Sequence, residues 1–287
     1  MSELPRLNGV IKALEEGKTA LTTFMAPGVE NAVTLAASSY DGVVFELEHN
    51  PYDIAQLRTD LQFMLNRKQI ADSGTVAPKV TPIVRIPPNG GELSQVFAKQ
   101  VLDVGVYGVV WPHVSTVEEA YNAVAACRYP RPKDRPYFEP FGQRGDAPVN
   151  AARYWGITQQ EYYQKADVWP LNPEGEILVI IMCEEVKAIE NLDSILKEVP
   201  GIGVILIGEG DLSQELGYAR DYYHPVVVEA MAEIRKICAA NNVIVGHPHG
   251  GTDNMERTVE EGYRFIMSAP SRSYAGLQAA KKLTGRE

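Results

Sequence analysis

A chain of 287 residues, 45% hydrophobic and 22% charged, can bury roughly three quarters of its unfolded surface and needs no covalent or metal staple to fold. Its net charge of −10 argues against nucleic acid and anionic membranes as partners and favours cationic ligands such as metal ions. Cys127, Cys183 and Cys238 are widely spaced and form no ligand pattern, so they read as buried thiols in a reducing cytoplasm. The first residues lack the apolar core of a signal peptide, and no run approaches the roughly 18 apolar residues of a membrane helix.

In chain order, strand and helix patterns alternate. Residues 5–17 read as a short amphipathic helix ended by Gly17, and Ala20–Met25 as a first strand before the loop Ala26-Pro27-Gly28. Glu30–Ser39 is helical in pattern, and Gly42–Leu47 is a second buried strand running into Glu48-His49-Asn50-Pro51. Asp53–Asn66 places Ile54, Leu57, Leu61 and Met64 on one helical face. Val80–Ile86 is the third strand, stopped by Pro87-Pro88; Gly91–Val104 reads as helix, and Val106–Trp111 as a fourth strand ending in Pro112-His113. Thr116–Cys127 is a helix entered through Ser115-Thr116, with Glu118 and Glu119 in its first turn.

From Arg128 to Gly175 the alternation breaks into sequence rich in proline and aromatics, including GQRGDAPVNAARYWG, where only Thr158–Ala166 looks helical. An excursion of that length is usually a functional loop or an interface element. The rhythm then resumes. Ile177–Met182, Gly203–Ile207, Val243–Gly246 and Tyr263–Met267 are strands five to eight. Glu185–Leu196, Asp211–Tyr218, His224–Ala240, Asp253–Glu261 and Ser271–Lys282 read as helices. Eight strand–helix pairs without a composition shift predict one domain over residues 1–287, of class α/β, closed as a (β/α)8 TIM barrel. No GxGxxG follows the first strand and no GxxxxGK[ST] occurs, so nucleotide folds lack support.

Chemistry in such a barrel collects at the carboxyl ends of the strands. Glu46, Glu48 and His49 fall at the end of the second strand, Arg85 of the third and His113 of the fourth. Glu184 follows the fifth, Asp211 the sixth, His247 and His249 the seventh, and Ser268 the eighth. Glu184 and Asp211, each closing an apolar run, suit a divalent cation with oxygen ligands, but each could equally start or cap a helix. Arg85 within an apolar strand needs anionic partners, which points to function. His49 is a base or a turn histidine, and His113 is open between site and structure. His247 and His249 in GHPHGG offer two imidazoles, though packing explains them better, and His224 reads as a helix start. In GEGDLS, two glycines let the amides of Gly210 and Asp211 approach an anion at a helix start, while Asp211 can still ligate a metal.

The stretches DGVVFELEHNPYD, VRIPP, VYGVVWPHVSTVEEA, CEEVKAIENLDSI and IGEGDLSQELGY, in that order, resemble the HpcH/HpaI aldolase/citrate lyase family. These are class II, metal-dependent pyruvate aldolases, typified by 4-hydroxy-2-oxoheptanedioate and 2-dehydro-3-deoxyglucarate aldolases. The resemblance spans about residues 15–285 and is most specific from Glu184 through Asn191-Leu192-Asp193 to Asp211-Leu212-Ser213. It implies a TIM barrel of the phosphoenolpyruvate/pyruvate type, a homohexamer or trimer, and a last helix exchanged between partners. By position, it implies that Glu184 and Asp211 hold Mg²⁺, Mn²⁺ or Co²⁺, and that Arg85 binds the keto acid. It further implies His49 as the catalytic histidine with Glu46 as its acid partner. Gly210 and Asp211 would hold the pyruvate carboxylate, and Leu212 would border the aldehyde pocket. Three residues depart from the family pattern: Glu46 is longer than the usual aspartate, Met182 stands where glutamine is common, and Glu209 replaces the proline of GPADLS. His113 resembles the histidine of a macrophomate synthase-like branch that decarboxylates oxaloacetate, which implies a place in the substrate site.

The expected reaction is cleavage of a 4-hydroxy-2-keto acid to pyruvate, or a close analogue, and an aldehyde. A cation held by two carboxylates keeps positions free for a chelating keto acid, and with Arg85 would stabilise the enolate oxygen as the C3–C4 bond breaks. His49, oriented by Glu46 and acting through a metal-bound water, would take the 4-hydroxyl proton. No lysine stands at a predicted strand end, which argues against a Schiff-base aldolase. Two alternatives are a metal-dependent decarboxylase or lyase of oxaloacetate-like diacids, prompted by His113 and Met182, and a non-catalytic barrel that binds a metal or keto acid. Arg85 and His49 beside both acids argue against the last, since a binder needs no base.

Overall fold

Every residue of the run ILVIIMC, Ile177–Cys183, is buried, as a strand covered on both faces requires. The computed structural model describes residues 5–88, 90–93, 95–270 and 275–284. Its strands are β1 (Ala20–Met25), β2 (Gly42–Glu46), β3 (Thr81–Arg85), β4 (Gly108–Trp111), β5 (Val168–Trp169), β6 (Ile177–Cys183), β7 (Val204–Ile207), β8 (Ile244–His247) and β9 (Phe265–Met267). All pair in parallel in the order β4-β3-β2-β1-β9-β8-β7-β6, and β4 pairs with β6 to close the ring. The eight predicted strands are the eight barrel strands, each displaced at its ends by no more than two residues. The added β5 lies in the excursion and pairs with the start of β6.

Alternation along the strands sorts side chains into two cores. Val44, Ile83, Val110, Leu178, Ile180, Met182, Val204, Leu206, Phe265 and Met267 fill the barrel together with Val10, Ile11, Ala13 and Leu14 of the helix Gly9–Glu15. That helix therefore plugs the amino-terminal end. Val43, Phe45, Val84, Val109, Trp111, Val179, Ile181, Ile205, Ile207 and Ile266 face the surrounding helices. With apolar side chains filling the barrel from below, polar chemistry is confined to the carboxyl ends of the strands.

The structure differs from the sequence reading in the excursion and between β2 and β3. Val149–Trp155 is a helix where irregular chain was expected, and its Tyr154 and Trp155 are buried. Trp155 stacks on Tyr107 at 4.3 Å between ring centroids. Arg144 does not reach the mouth; it is buried against Asp103 and the Tyr162 hydroxyl. Buried Arg128 donates to Asp167 and to the carbonyls of Tyr137 and Pro140, which fastens the excursion to the body. The predicted Asp53–Asn66 helix is Ile54–Met64, and a further helix, Arg67–Ser73, follows it. The Gly91–Val104 helix begins at Gln95. The closing helix is Ala275–Leu283, and its predicted start at Ser271 lies outside the described residues. Cys127, Cys183 and Cys238 are free and buried, and burial raises all three thiols. Among the described residues, no helix is long and apolar enough to cross a membrane.

Glu176 ties the plug to the barrel. Its two oxygens accept from the amides of Leu7 (3.1 Å) and Asn8 (2.8 Å), and the Asn8 side chain donates to the carbonyls of Tyr107 and Glu176. Glu176→Ala strands two buried amides at about 1–3 kcal/mol each, so urea unfolding is expected to show a loss of roughly 2–6 kcal/mol. A change below about 1 kcal/mol would mean that the plug is held by packing alone.

Candidate active site

Glu46 and Arg85 are partners in the β2–β3 register, so their side chains enter the barrel mouth side by side. Arg85 Nε donates to Glu46 Oε2 at 2.8 Å, and Nη2 reaches the same oxygen. Nη1 lies 2.9 Å from Glu48 Oε2 and 3.7 Å from the sulfur of Met182. The guanidinium also sits over the Phe24 ring, 4.5 Å from its centroid. Met182 thus meets Arg85 with a soft, weak acceptor.

The other oxygen of Glu46 accepts from the amides of Glu48 (2.8 Å) and His49 (3.2 Å). With both oxygens engaged, Glu46 pairs with the backbone of His49 and not with its ring. This departs from the expected acid–histidine pair. The imidazole is 67% exposed and its Nε2 lies 3.6 Å from Glu48 Oε2.

His113 enters from the end of β4 with φ +54°, a left-handed conformation that a non-glycine residue keeps only when its surroundings enforce it. Its amide donates to Glu184 Oε1 at 2.7 Å, its Nδ1 lies 2.9 Å from Glu185 Oε1, and its Nε2 lies 3.8 Å from Glu48 Oε1. Ser115 Oγ donates to the other oxygen of Glu185, and Asn191 Nδ2 donates to the Ser115 carbonyl. Burial pulls the imidazole down, but Glu184, Glu185 and Glu48 outweigh it, so His113 titrates above its usual value. The sequence reading missed Glu185. The signal was the doublet Glu184-Glu185 at a helix start: Glu185 is the N-cap of Val186–Glu198 yet makes no capping bond, leaving its carboxylate free to reach His113.

Glu184 is 2% exposed. Burial raises its carboxyl to about 7; the His113 amide opposes this, and Glu48 and Asp211 add to it. Burial also raises Glu48, against the pull of Arg85. Gly208, at the end of β7, is where Glu184 leans: a Cβ there would lie 2.4 Å from Glu184 Oε2. Asp211 is exposed on the helix Glu209–Glu215. Leu212 belongs to the outer core and is fully buried, so its side chain does not line the mouth as expected. The helix turns about 100° per residue there, which carries Leu212 away from the face of Asp211.

The remaining strand-end residues lie elsewhere. His247 follows Val245 in facing the helices and packs edge-on against Tyr263 at 5.0 Å. His249 reaches Glu209, outside the barrel. The packing reading fits His247, which is buried, whereas the His249 ring is exposed. The Ser268 backbone pairs with Thr22 and with the Tyr40 hydroxyl. His224 caps Pro225–Ala240 by accepting from the Val226 amide, as a helix start should.

The mouth therefore holds Glu46, Glu48, Glu184, Glu185 and Asp211 around Arg85, His49 and His113. Glu48 Oε2 is buried without a hydrogen-bond donor, because the Arg85 approach lies off the hydrogen-bond direction. Raised carboxyls, and a Glu48 oxygen met by ion pairing without a hydrogen bond, fit a hard divalent cation. Among the described residues, no three His, Cys, Asp or Glu side chains form a complete ligand set. Glu184 and Asp211 would supply two ligands, leaving the rest to water and substrate.

A family model described as HpcH/HpaI aldolase/citrate lyase matches residues 25–271. The 2-keto-3-deoxy-L-rhamnonate aldolase of Klebsiella pneumoniae is 34% identical over 233 residues, which cover 80% of this chain and 74% of that protein. An HpcH/HpaI aldolase/citrate lyase family protein from Burkholderia cenocepacia superposes with a TM-score of 0.75 at 25% identity, covering 97% of this chain and 98% of its own. Macrophomate synthase superposes with a TM-score of 0.67 at 25% identity, covering 97% of this chain and 88% of its own.

Glu184 predicts a pH signature. Its carboxyl loses its proton near pH 7 in the fold, against 4.5 in an open chain. The fold therefore binds that proton more tightly: the contribution is complete below about pH 4.5 and disappears as pH rises through about 7. In chelator, the thermal midpoint should fall between about pH 5 and pH 8 by more in the natural protein than in Glu184→Gln. Identical profiles would remove Glu184 from the strained anions.

Proposed function

We propose that this chain, which belongs to the HpcH/HpaI aldolase/citrate lyase family, cleaves a 4-hydroxy-2-keto acid to pyruvate, or a close analogue, and an aldehyde. It is an enzyme of a lyase family, which sets aside the non-catalytic barrel. The observation that carries the reading is Arg85, a guanidinium inside an apolar barrel, held at the mouth by Glu46 and Glu48 beside buried Glu184.

Such a guanidinium is a preorganised positive charge for a keto acid's C2 oxygen. When the C3–C4 bond breaks, its electron pair moves into C3 and onto that oxygen, forming the enolate that Arg85 stabilises. C4 becomes the aldehyde carbon as the 4-hydroxyl proton leaves to His49, which is exposed and has room to meet it. C3 then takes a proton from solvent and His49 returns its own to solvent, which yields the methyl group of pyruvate and restores the base. Glu46 serves both groups, since one oxygen fixes Arg85 and the other the His49 backbone. Glu184 and Asp211 are the residues for a divalent cation, Mg²⁺, Mn²⁺ or Co²⁺, which when bound supplies Lewis-acid charge to the keto acid. We assign the substrate carboxylate to the amides of Gly210 and Asp211, at the start of the helix Glu209–Glu215.

A second reading, decarboxylation of an oxaloacetate-like diacid, is favoured by the His113 ring between Glu48 and Glu185 and by the likeness to macrophomate synthase. Comparing CO₂ release from oxaloacetate with pyruvate release from 4-hydroxy-2-oxoheptanedioate separates the two. We extend the reading to a cytoplasmic, single-domain homo-oligomer acting on small molecules, without nucleic acid or membrane. In support, Leu277 and Leu283 of the closing helix are exposed.

Chelation by EDTA is expected to abolish retro-aldol activity, with Mn²⁺ or Mg²⁺ restoring it; full activity in chelator would refute the metal requirement. Arg85→Ala should bind Mn²⁺ as before and lose about 10²–10³ in kcat, the usual cost of one oxyanion donor. Turnover within about threefold of the natural rate would dismiss the assignment. Exchange of pyruvate methyl protons for deuterium should likewise need both the metal and Arg85.

A further inference from the structure

The lyase reading employs Gly210 and Asp211 and leaves Glu209 between Gly208 and Gly210 without work. Its carboxylate points away from the mouth. It is 3% exposed, on the wall of a separate cavity of about 190 Å³ where the loop after β8 meets the helices Pro225–Ala240 and Met255–Glu260. One Glu209 oxygen contacts His249 Nδ1, and the other lies 3.8 Å from His247 Nε2.

His249 is itself held. Its amide donates to His247 Nδ1 at 3.1 Å, its carbonyl accepts from Asn254 Nδ2 at 2.9 Å, and its ring stacks on Tyr222 with an 11° interplanar angle. The cluster is not a metal site. His247 Nδ1 already accepts a proton bond, so in the neutral ring Nε2 carries hydrogen and offers no lone pair.

The backbone on either side of Glu209 is soft, because both neighbours are glycines. Gly208 must stay against the Glu184 carboxylate, and Asp211 follows two residues later. Glu209 is also the first residue of its helix, so its conformation sets the direction in which that helix leaves β7.

We propose that Glu209 is a positioning residue: its contact with His249 holds the Gly208–Asp211 turn so that Asp211 and the Gly210 amide face the mouth. This rests on the lyase reading, and Glu209 acts through the turn without touching substrate.

The test measures Mn²⁺ dissociation constants on the full chain by paramagnetic resonance, without substrate, alongside KM and kcat. Glu209→Ala and His249→Ala should each weaken Mn²⁺ binding about tenfold, the scale of an outer-shell loss, and raise KM more than they lower kcat. Because the two residues form one contact, the double variant should bind no worse than the weaker single. Glu209→Pro should recover binding to within about threefold of the natural protein, since proline at the first helical position fixes φ without any partner and removes an amide that has no helical acceptor.

Mn²⁺ binding unchanged within about twofold in both single variants would overturn the proposal. So would losses that multiply in the double variant, or a proline variant no better than alanine. His249 is 57% exposed, so its variant still decides the matter if Glu209→Ala does not fold. Natural protein that neither binds Mn²⁺ nor cleaves a hydroxyketo acid would overturn the lyase reading and the proposal with it. Failure of the variants alone leaves the lyase reading intact.

Discussion

A guanidinium inside an apolar barrel is the constraint around which the carboxyl end is built. Arg85 comes from a strand whose residues are all buried, and it keeps only 9% of its surface exposed there. A buried charge is tolerable only when paired and hydrogen-bonded, so the strand beside it must deliver acids. It does: Glu46 sits opposite in register, and Glu48 follows two residues on, on the same side. Once Glu46 is committed to Arg85, its remaining oxygen can reach only the turn above it. The turn carrying His49 is thus shaped by the need to neutralise Arg85.

The second half of the mouth has the opposite problem. Glu184 and Glu185 arrive together at the end of β6, and the His113 amide and ring reach both of them. Burial raises Glu184 to about 7, and with so little positive charge nearby Glu48 and Asp211 push it the same way. An anionic pocket beside a fixed guanidinium suits a ligand that brings a cation on one side and an oxyanion on the other. A chelated keto acid has that polarity. The same charge excess makes the ligand-free mouth costly to the fold, an arrangement expected where strain serves binding.

Strand order and strand ends were legible because runs such as VVFEL and ILVIIMC allow little but buried parallel strands. Arg85 and Glu184 were legible for the same reason, as charges interrupting apolar runs. Which way a side chain points was harder. His247 closes its strand at the same end of the barrel as Glu184, yet it faces the helices because it shares parity with Val245. That parity could have been counted from the sequence once one inward residue of β8 was known. Glu185 was hidden by its neighbour, and the pairing of Glu46 depended on a register that no local pattern encodes. The excursion was opaque because its order comes from Arg128 and Trp155, whose partners lie far along the chain or at isolated carbonyls.

The turn after β7 shows how one short segment answers to both layers of the barrel. Facing inward, Gly208 has no side chain because the Glu184 carboxylate occupies that space. Facing outward, Glu209 is buried among histidines of the neighbouring loop. The glycine that admits Glu184 also loosens the backbone, so the freedom needed on the inside has to be restrained from the outside. A carboxylate gripped by His249 can supply that restraint, and it makes the geometry of the catalytic mouth depend on residues that never enter it.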